Sequence, residues 1–184
     1  MKVLAIPGSL RAGSFNRMAV NLCHEVMPAG TTMDICEIKD IPLFDGDDFA
    51  KGFPPAVAAF REKIRAADGL LIASPEYNYS ISGVLKNAID WASRGADQPF
   101  NWKPICVLSA TMGPVGGARS QYELRKVFQF LNGHVMPKPE VFIGVAQTKF
   151  DATGKMTDEA TRKVVTDFMV SFNDWMTRVK RMAA

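Results

Sequence analysis

The chain has 184 residues, 47% of them hydrophobic and 22% charged, with 22 basic against 19 acidic side chains for a net charge of +3. That length supports one compact domain, 1–184, burying about 70% of the surface of its unfolded chain, and so small and dispersed a charge argues against a nucleic-acid surface. The apolar stretch before Pro7 and Gly8 is too short for a signal peptide or a membrane span, and the scattered Cys23, Cys36 and Cys106 read as buried reduced thiols, so a cytoplasmic location is expected.

Apolar runs alternate with amphipathic stretches from end to end, the pattern of an α/β sheet covered by helices on both faces. Val3 to Ile6 predicts a first strand. Phe15 to Met27 carries Met18, Leu22 and Val26 at helical spacing and ends at "PAG". Met33 to Ile38, with Asp34 and Glu37, suits an edge strand, and "DIPLFDGDD" is a loop. Val57, Phe60, Ile64 and Ala67 mark a helix starting near Pro55, where proline fits a first turn. "GLLIAS" at 69–74 is apolar throughout, as the central strand of a parallel sheet should be. Ser82–Ser93 and Ala118–Leu131 read as helices, Ile105–Ser109 and Val141–Val145 as strands. The last helix begins near Thr157 and buries a stripe of Val164, Val165, Phe168, Met169, Phe172, Trp175, Met176 and Val179. Five βα units are the expected count.

In such a sheet, ligands bind beyond the carboxyl ends of the strands. Three loops leave the first, central and fourth strands there. "PGSLRAGSFN" feeds a helix N-terminus, whose amides and dipole favour a phosphate. Ser9, Ser14 and Asn16 add neutral donors, Arg11 can fork onto phosphate oxygens, and Gly8 and Gly13 allow close backbone approach. No carboxylate lies between Pro7 and His24, and the loop has neither Walker nor dinucleotide spacing. Ser14 can equally be an ordinary helix cap. "SPEYNYSISG" sets Pro75, Glu76, Tyr77, Asn78 and Tyr79 after the central strand, offering aromatic and backbone contacts to a flat heterocycle. "SATMGPVGGARSQ" brings Ser109, Thr111, Met112 and Gly113, with Gly116 and Gly117, and can set amides against a ring. A phosphate at one loop and a planar ring between the other two describe flavin mononucleotide (FMN).

The stretches "GSLRAGSFN", "PEYNYSISGVLKNAIDW" and "GGARSQYELR" resemble the NADPH-dependent FMN reductase family, in its bacterial quinone, chromate and azo-dye reducing branch. The resemblance implies a flavodoxin-like doubly wound sheet of five parallel strands, tightly but non-covalently bound FMN, NADPH or NADH as co-substrate, and dimers or tetramers. It implies that Ser9, Arg11, Ser14, Phe15 and Asn16 hold the phosphate. Glu76, Tyr77, Asn78 and Tyr79, with Thr111 and Gly113, would border the ring, and Tyr79, Arg119, Tyr122 and Glu140 resemble positions that link subunits. Pro114 departs from a donor-lined ring contact because it lacks an N–H. With flavin carrying the hydride, no catalytic side chain is required and a ping-pong cycle is expected. His24 and His134 lack metal-ligand spacing. A flavodoxin-type electron carrier and an FMN-binding sensor remain the alternatives. Carriers dock through an acidic face, which this basic chain lacks.

Overall fold

The computed structural model describes residues 1–183. In chain order it comprises β1 (Lys2–Pro7), α1 (Phe15–Glu25), β2 (Thr32–Ile35), the short α2 (Gly46–Phe49), α3 (Pro55–Ala66), β3 (Gly69–Ala73), β4 (Glu76–Tyr77), β5 (Ser80–Ile81), α4 (Gly83–Ala92), β6 (Pro104–Ala110), α5 (Ala118–Phe130), β7 (His134–Val135), β8 (Val141–Ile143) and α6 (Glu159–Met182). A parallel sheet runs β2-β1-β3-β6, with β7 and β8 both on the outer side of β6. Counting the β7/β8 edge as one position gives the flavodoxin-like order 2-1-3-4-5.

Side-chain alternation builds two cores from one sheet. Val3, Ala5, Leu71, Cys106 and Leu108 pack under α1 and α6 with Cys23, Val165, Phe168 and Phe172. Leu4, Ile6, Leu70, Ile72, Ile105 and Val107 pack under α3, α4 and α5 with Phe60, Ile64, Leu85, Ile89, Leu124 and Phe128. Each fully buried Leu, Ile or Phe contributes about 1.5–3 kcal/mol, and every residue of β3 and β6 is buried.

The structure departs from the sequence expectations at several edges. The fifth strand, expected over 141–145, ends at Ile143, and β7 occupies the other half of the same edge beside Pro104 and Ile105. Pro137 and Pro139 between them cannot donate to a ladder, which divides the edge in two. β2 stops at Ile35, although Cys36 N still donates to Ala5 O at 2.8 Å. The cap of α6 is Asp158, which accepts from Thr161 N at 2.8 Å, whereas Thr157 N donates to Lys149 O. Val164, expected in the buried stripe, is exposed. Buried Arg61 of α3 donates to the carbonyls of Ala92 and Arg94 at the end of α4 and to Asp97, locking the two helices together.

Candidate active site

The carboxyl ends of β1, β3 and β6 open onto a cleft of about 330 Å³ lined by Ser9, Arg11, Ser14, Phe15, Asn16, Pro75, Glu76, Tyr77, Ala110, Thr111, Met112 and Gly113. Each loop singled out in the sequence supplies part of it.

The first loop leaves β1 at Gly8, whose N–H donates to Ala73 O at 2.8 Å. A Cβ there would lie 2.9 Å from Leu85 Cδ2 and 3.1 Å from Pro75 Cδ, so the seam between the first two loops requires glycine. Gly13 is different: a Cβ would meet only the Arg11 side chain, at 3.7 Å, so packing within the chain does not require glycine there. Ser14 caps α1, its Oγ accepting from Arg17 N at 3.4 Å. Among the described residues the amides of Phe15 and Asn16 have no acceptor within the chain, and these are the first-turn donors that favour an anion. Arg11 is exposed, and of the ion pairs among the described residues none includes it.

Asn16 has a role the sequence did not reveal. Its side chain is buried and forms two bonds with the end of β6, Nδ2 to Ala110 O at 2.9 Å and Ala110 N to Oδ1 at 3.0 Å. The carboxamide therefore clasps the first loop to the third, and the unpaired donor at this position is the backbone N–H.

The second loop folds back as the antiparallel β4–β5 hairpin, Glu76 opposite Ile81 and Tyr77 opposite Ser80. Its two-residue tip, Asn78 and Tyr79, has φ of 48° and 69°, the left-handed pair of a type I′ turn. Asn78 and Tyr79 thus lie at the tip and do not line the cleft, contrary to expectation. Tyr77 does, and its hydroxyl sits 3.2 Å from Ser9 Oγ. The Glu76 carboxylate accepts from Arg119 N at 3.1 Å and Ser120 N at 3.4 Å and pairs with the Arg119 guanidinium. Helix α5 starts after Gly117, which has no side chain to cap it, and Glu76 supplies the missing acceptor from another loop. The guanidinium also lies 3.8 Å from the centroid of the Tyr79 ring.

In the third loop Ser109, expected at the site, is fully buried behind it, its hydroxyl donating to Gly116 O and accepting from Gln121 Nε2 at 2.7 Å. Gly116 and Gly117 also face inward, since a Cβ would come within 2.7 Å of Phe142 C and of Ser109 Cβ respectively. Pro114 is outside the lining and its carbonyl packs on Gly144. Ala110 N is held by Asn16 and Thr111 N by Ile143 O at 2.9 Å. Of the residues this loop contributes to the lining, Met112 and Gly113 are left with amides that have no acceptor among the described residues.

Among the described residues the cleft thus collects free amides at Phe15, Asn16, Met112 and Gly113, the unpaired Arg11 guanidinium, serine hydroxyls and a phenol, while Glu76, the one acidic residue of its lining, is paired with Arg119. A larger hollow of about 430 Å³ lies at the opposite end of the sheet around Trp102, Lys103 and Lys180. Its Lys103 Nζ is committed to Ala67 O at 2.7 Å, and burial holds that amine below its usual range.

A flavodoxin-like sheet with a donor-lined cleft at its switch point is the architecture of flavin-binding proteins of the redox class. The model of the NADPH-dependent FMN reductases matches residues 1–148, and the chain belongs to that family. Over 180 residues it is 49% identical to an NAD(P)H-dependent FMN reductase of Pseudomonas aeruginosa, covering 98% of this chain and 97% of the relative. Over 183 residues it is 45% identical to a quinone reductase of Escherichia coli, again covering 98% and 97%. Among solved structures, the NAD(P)H:(acceptor) oxidoreductase FerB of Paracoccus denitrificans superposes with a TM-score of 0.88 at 31% identity, covering 96% of this chain and 97% of that one.

Proposed function

We propose that the whole chain acts as one FMN-binding domain that oxidises NADPH or NADH and reduces quinones. The observation that carries this reading is the pairing of two sets of unspent amides, Phe15 with Asn16 and Met112 with Gly113, on either side of one cleft beside the unpaired Arg11. The donor set fits FMN: Arg11, Ser9, Ser14 and the α1 amides would hold the phosphate. Pro75, the Glu76 stem, Tyr77 and Thr111 would flank the ring, with Met112 and Gly113 N–H directed at the charge that develops near N1 and the C2 carbonyl.

Bound FMN supplies the two-electron chemistry, with a hydride from the nicotinamide and a proton from solvent ending on the quinone as hydroquinone. The protein holds the ring, screens charge and admits donor and acceptor in turn to one slot, a ping-pong order. Ferricyanide, chromate, azo dyes and free flavin are further acceptors of the same reduced ring. The buried thiols support a reducing compartment such as the cytoplasm. Assembly into a homodimer or homotetramer is proposed through Tyr79, Arg119, Tyr122 and Glu140. Tyr79 and Tyr122 are exposed, and Tyr122 OH donates to Glu140 Oε2 at 3.4 Å.

Stopped-flow mixing of FMN-loaded protein with NADPH or NADH, then with a quinone, tests the function. Rapid bleaching followed by recovery is expected. Bleaching slower than for free flavin supports a sensor or carrier instead. Sedimentation of Arg119→Ala and Glu140→Ala tests assembly, with dissociation expected and an unchanged boundary counting against the patch.

A further inference from the structure

Among the described residues, Glu76 is the one acidic residue in the lining of the cleft, its carboxylate turned to the start of α5. Its side chain is 11% exposed, and a charge so placed needs compensation. Three donors provide it: Arg119 N, Ser120 N and the Arg119 guanidinium, with the positive end of α5 behind them. The guanidinium is held from its other side by the Tyr79 ring, 3.8 Å away. Tyr79 sits at φ 69°, a left-handed conformation costly for a bulky residue, so the turn that sustains this contact is specified against a local penalty.

We propose that Glu76 and Arg119 are a charge-compensating pair that sets how strongly the cleft favours reduced over oxidised FMN. They are positioning residues acting through the field at the ring and through the seating of the hairpin on α5. The inference rests on the FMN reading above. Reduction adds negative charge to the ring. A lone carboxylate beside it opposes that charge, a lone guanidinium favours it, and the matched pair is close to neutral.

The test is a double-mutant cycle on FMN-loaded protein, reading the midpoint potential of the bound flavin and the FMN dissociation constant. Arg119→Met, which strands the carboxylate, is expected to lower the relative affinity for reduced FMN about tenfold, or about 30 mV for a two-electron couple. Glu76→Gln retains an acceptor for the α5 amides and strands the guanidinium, so the potential should rise. The double variant should return to the parental potential, and Arg119→Lys should lie between Arg119→Met and the parent. Potentials that do not move, or single shifts of the same sign that simply add, overturn the proposal. Should Arg119→Met not fold, Glu76→Gln alone decides by whether its potential rises. A parent protein that binds no FMN refutes the cofactor reading, whereas FMN bound at a potential insensitive to both residues refutes only the pair's role.

Discussion

Asn16 and Ala110 stand 94 positions apart in the chain and are joined by two hydrogen bonds of 2.9 and 3.0 Å, side-chain amide to backbone. Truncation to alanine strands a buried N–H and a buried carbonyl. Asn16→Ala should therefore cost about 2–6 kcal/mol in urea unfolding of the flavin-free protein, at about 1–3 for each of the two stranded groups. It should also weaken FMN binding, because the first loop loses its anchor. A loss below about 0.5 kcal/mol, the level of a routine surface change, would mean the clasp contributes nothing.

Arg11 is exposed and unpaired, so its removal should leave folding untouched and fall on the ligand. Arg11→Ala is expected to weaken FMN binding about 10- to 100-fold, the worth of a charge-assisted hydrogen bond, with the loss shrinking at high salt. Fluorescence titration of released flavin measures it. Unchanged retention with slower turnover would remove the phosphate assignment.

Two glycines of the third loop should respond in opposite ways. Gly117 has φ 87° and a Cβ would lie 2.7 Å from Ser109 Cβ, whereas nothing lies within 4 Å of a Cβ at Gly113. Gly117→Ala should cost about 2–4 kcal/mol from the left-handed backbone and overpacking. Gly113→Ala should stay within about 0.5 kcal/mol. Paired denaturation midpoints decide, and equal losses would refute the inward orientation of Gly117.

The hydrogen bond from Arg61, helped by the nearby charges of Arg61 and Arg65, holds the Asp97 carboxyl below its usual range. A lowered folded-state value means the pair stabilises above the ordinary carboxylate pKa of about 3.9 and loses that contribution as pH falls through the lower folded value. Asp97→Asn should flatten the acid limb of a plot of Tm against pH, modestly, because Asp97 is largely exposed. Arg61→Met should cost more at neutral pH, about 2–3 kcal/mol, since it strands carbonyls at the end of α4. Parallel acid limbs for parent and Asp97→Asn would show the pairing to be energetically silent.

Burial pushes the thiols of Cys23, Cys36 and Cys106 upward. A thiol-specific disulfide reagent at pH 8 should label the native protein slowly and titrate every thiol only in denaturant. Immediate stoichiometric labelling of the folded protein would contradict the packing.

The alternation of strands and helices and the loops that meet at the cleft were legible because they rest on local signals: the unbroken apolar run at 69–74, the glycine and serine punctuation after β1, and helical spacing in α1, α3 and α6. What stayed hidden depends on pairs distant in sequence. Nothing near Asn16 announces Ala110, so its carboxamide read as a ligand donor. Ser109 looked like a site residue because it ends a strand at the cleft, yet strand alternation turns it toward Gln121. The division of the fifth strand was written in Pro137 and Pro139 and was readable in principle. The cap that Glu76 gives α5 left one trace, a helix beginning after two glycines with no capping side chain of its own.

The register of the β4–β5 hairpin decides which chemistry each wall receives. Because successive side chains alternate, Glu76 is delivered to the foot of a helix and Tyr77 to the hydroxyl of Ser9. Insertion of a single residue ahead of Glu76 would move its carboxylate into the place of Tyr77, setting an anion over the phosphate cradle and leaving the α5 amides without their acceptor. Sequence drift in this loop is therefore quantised in length, in steps of two.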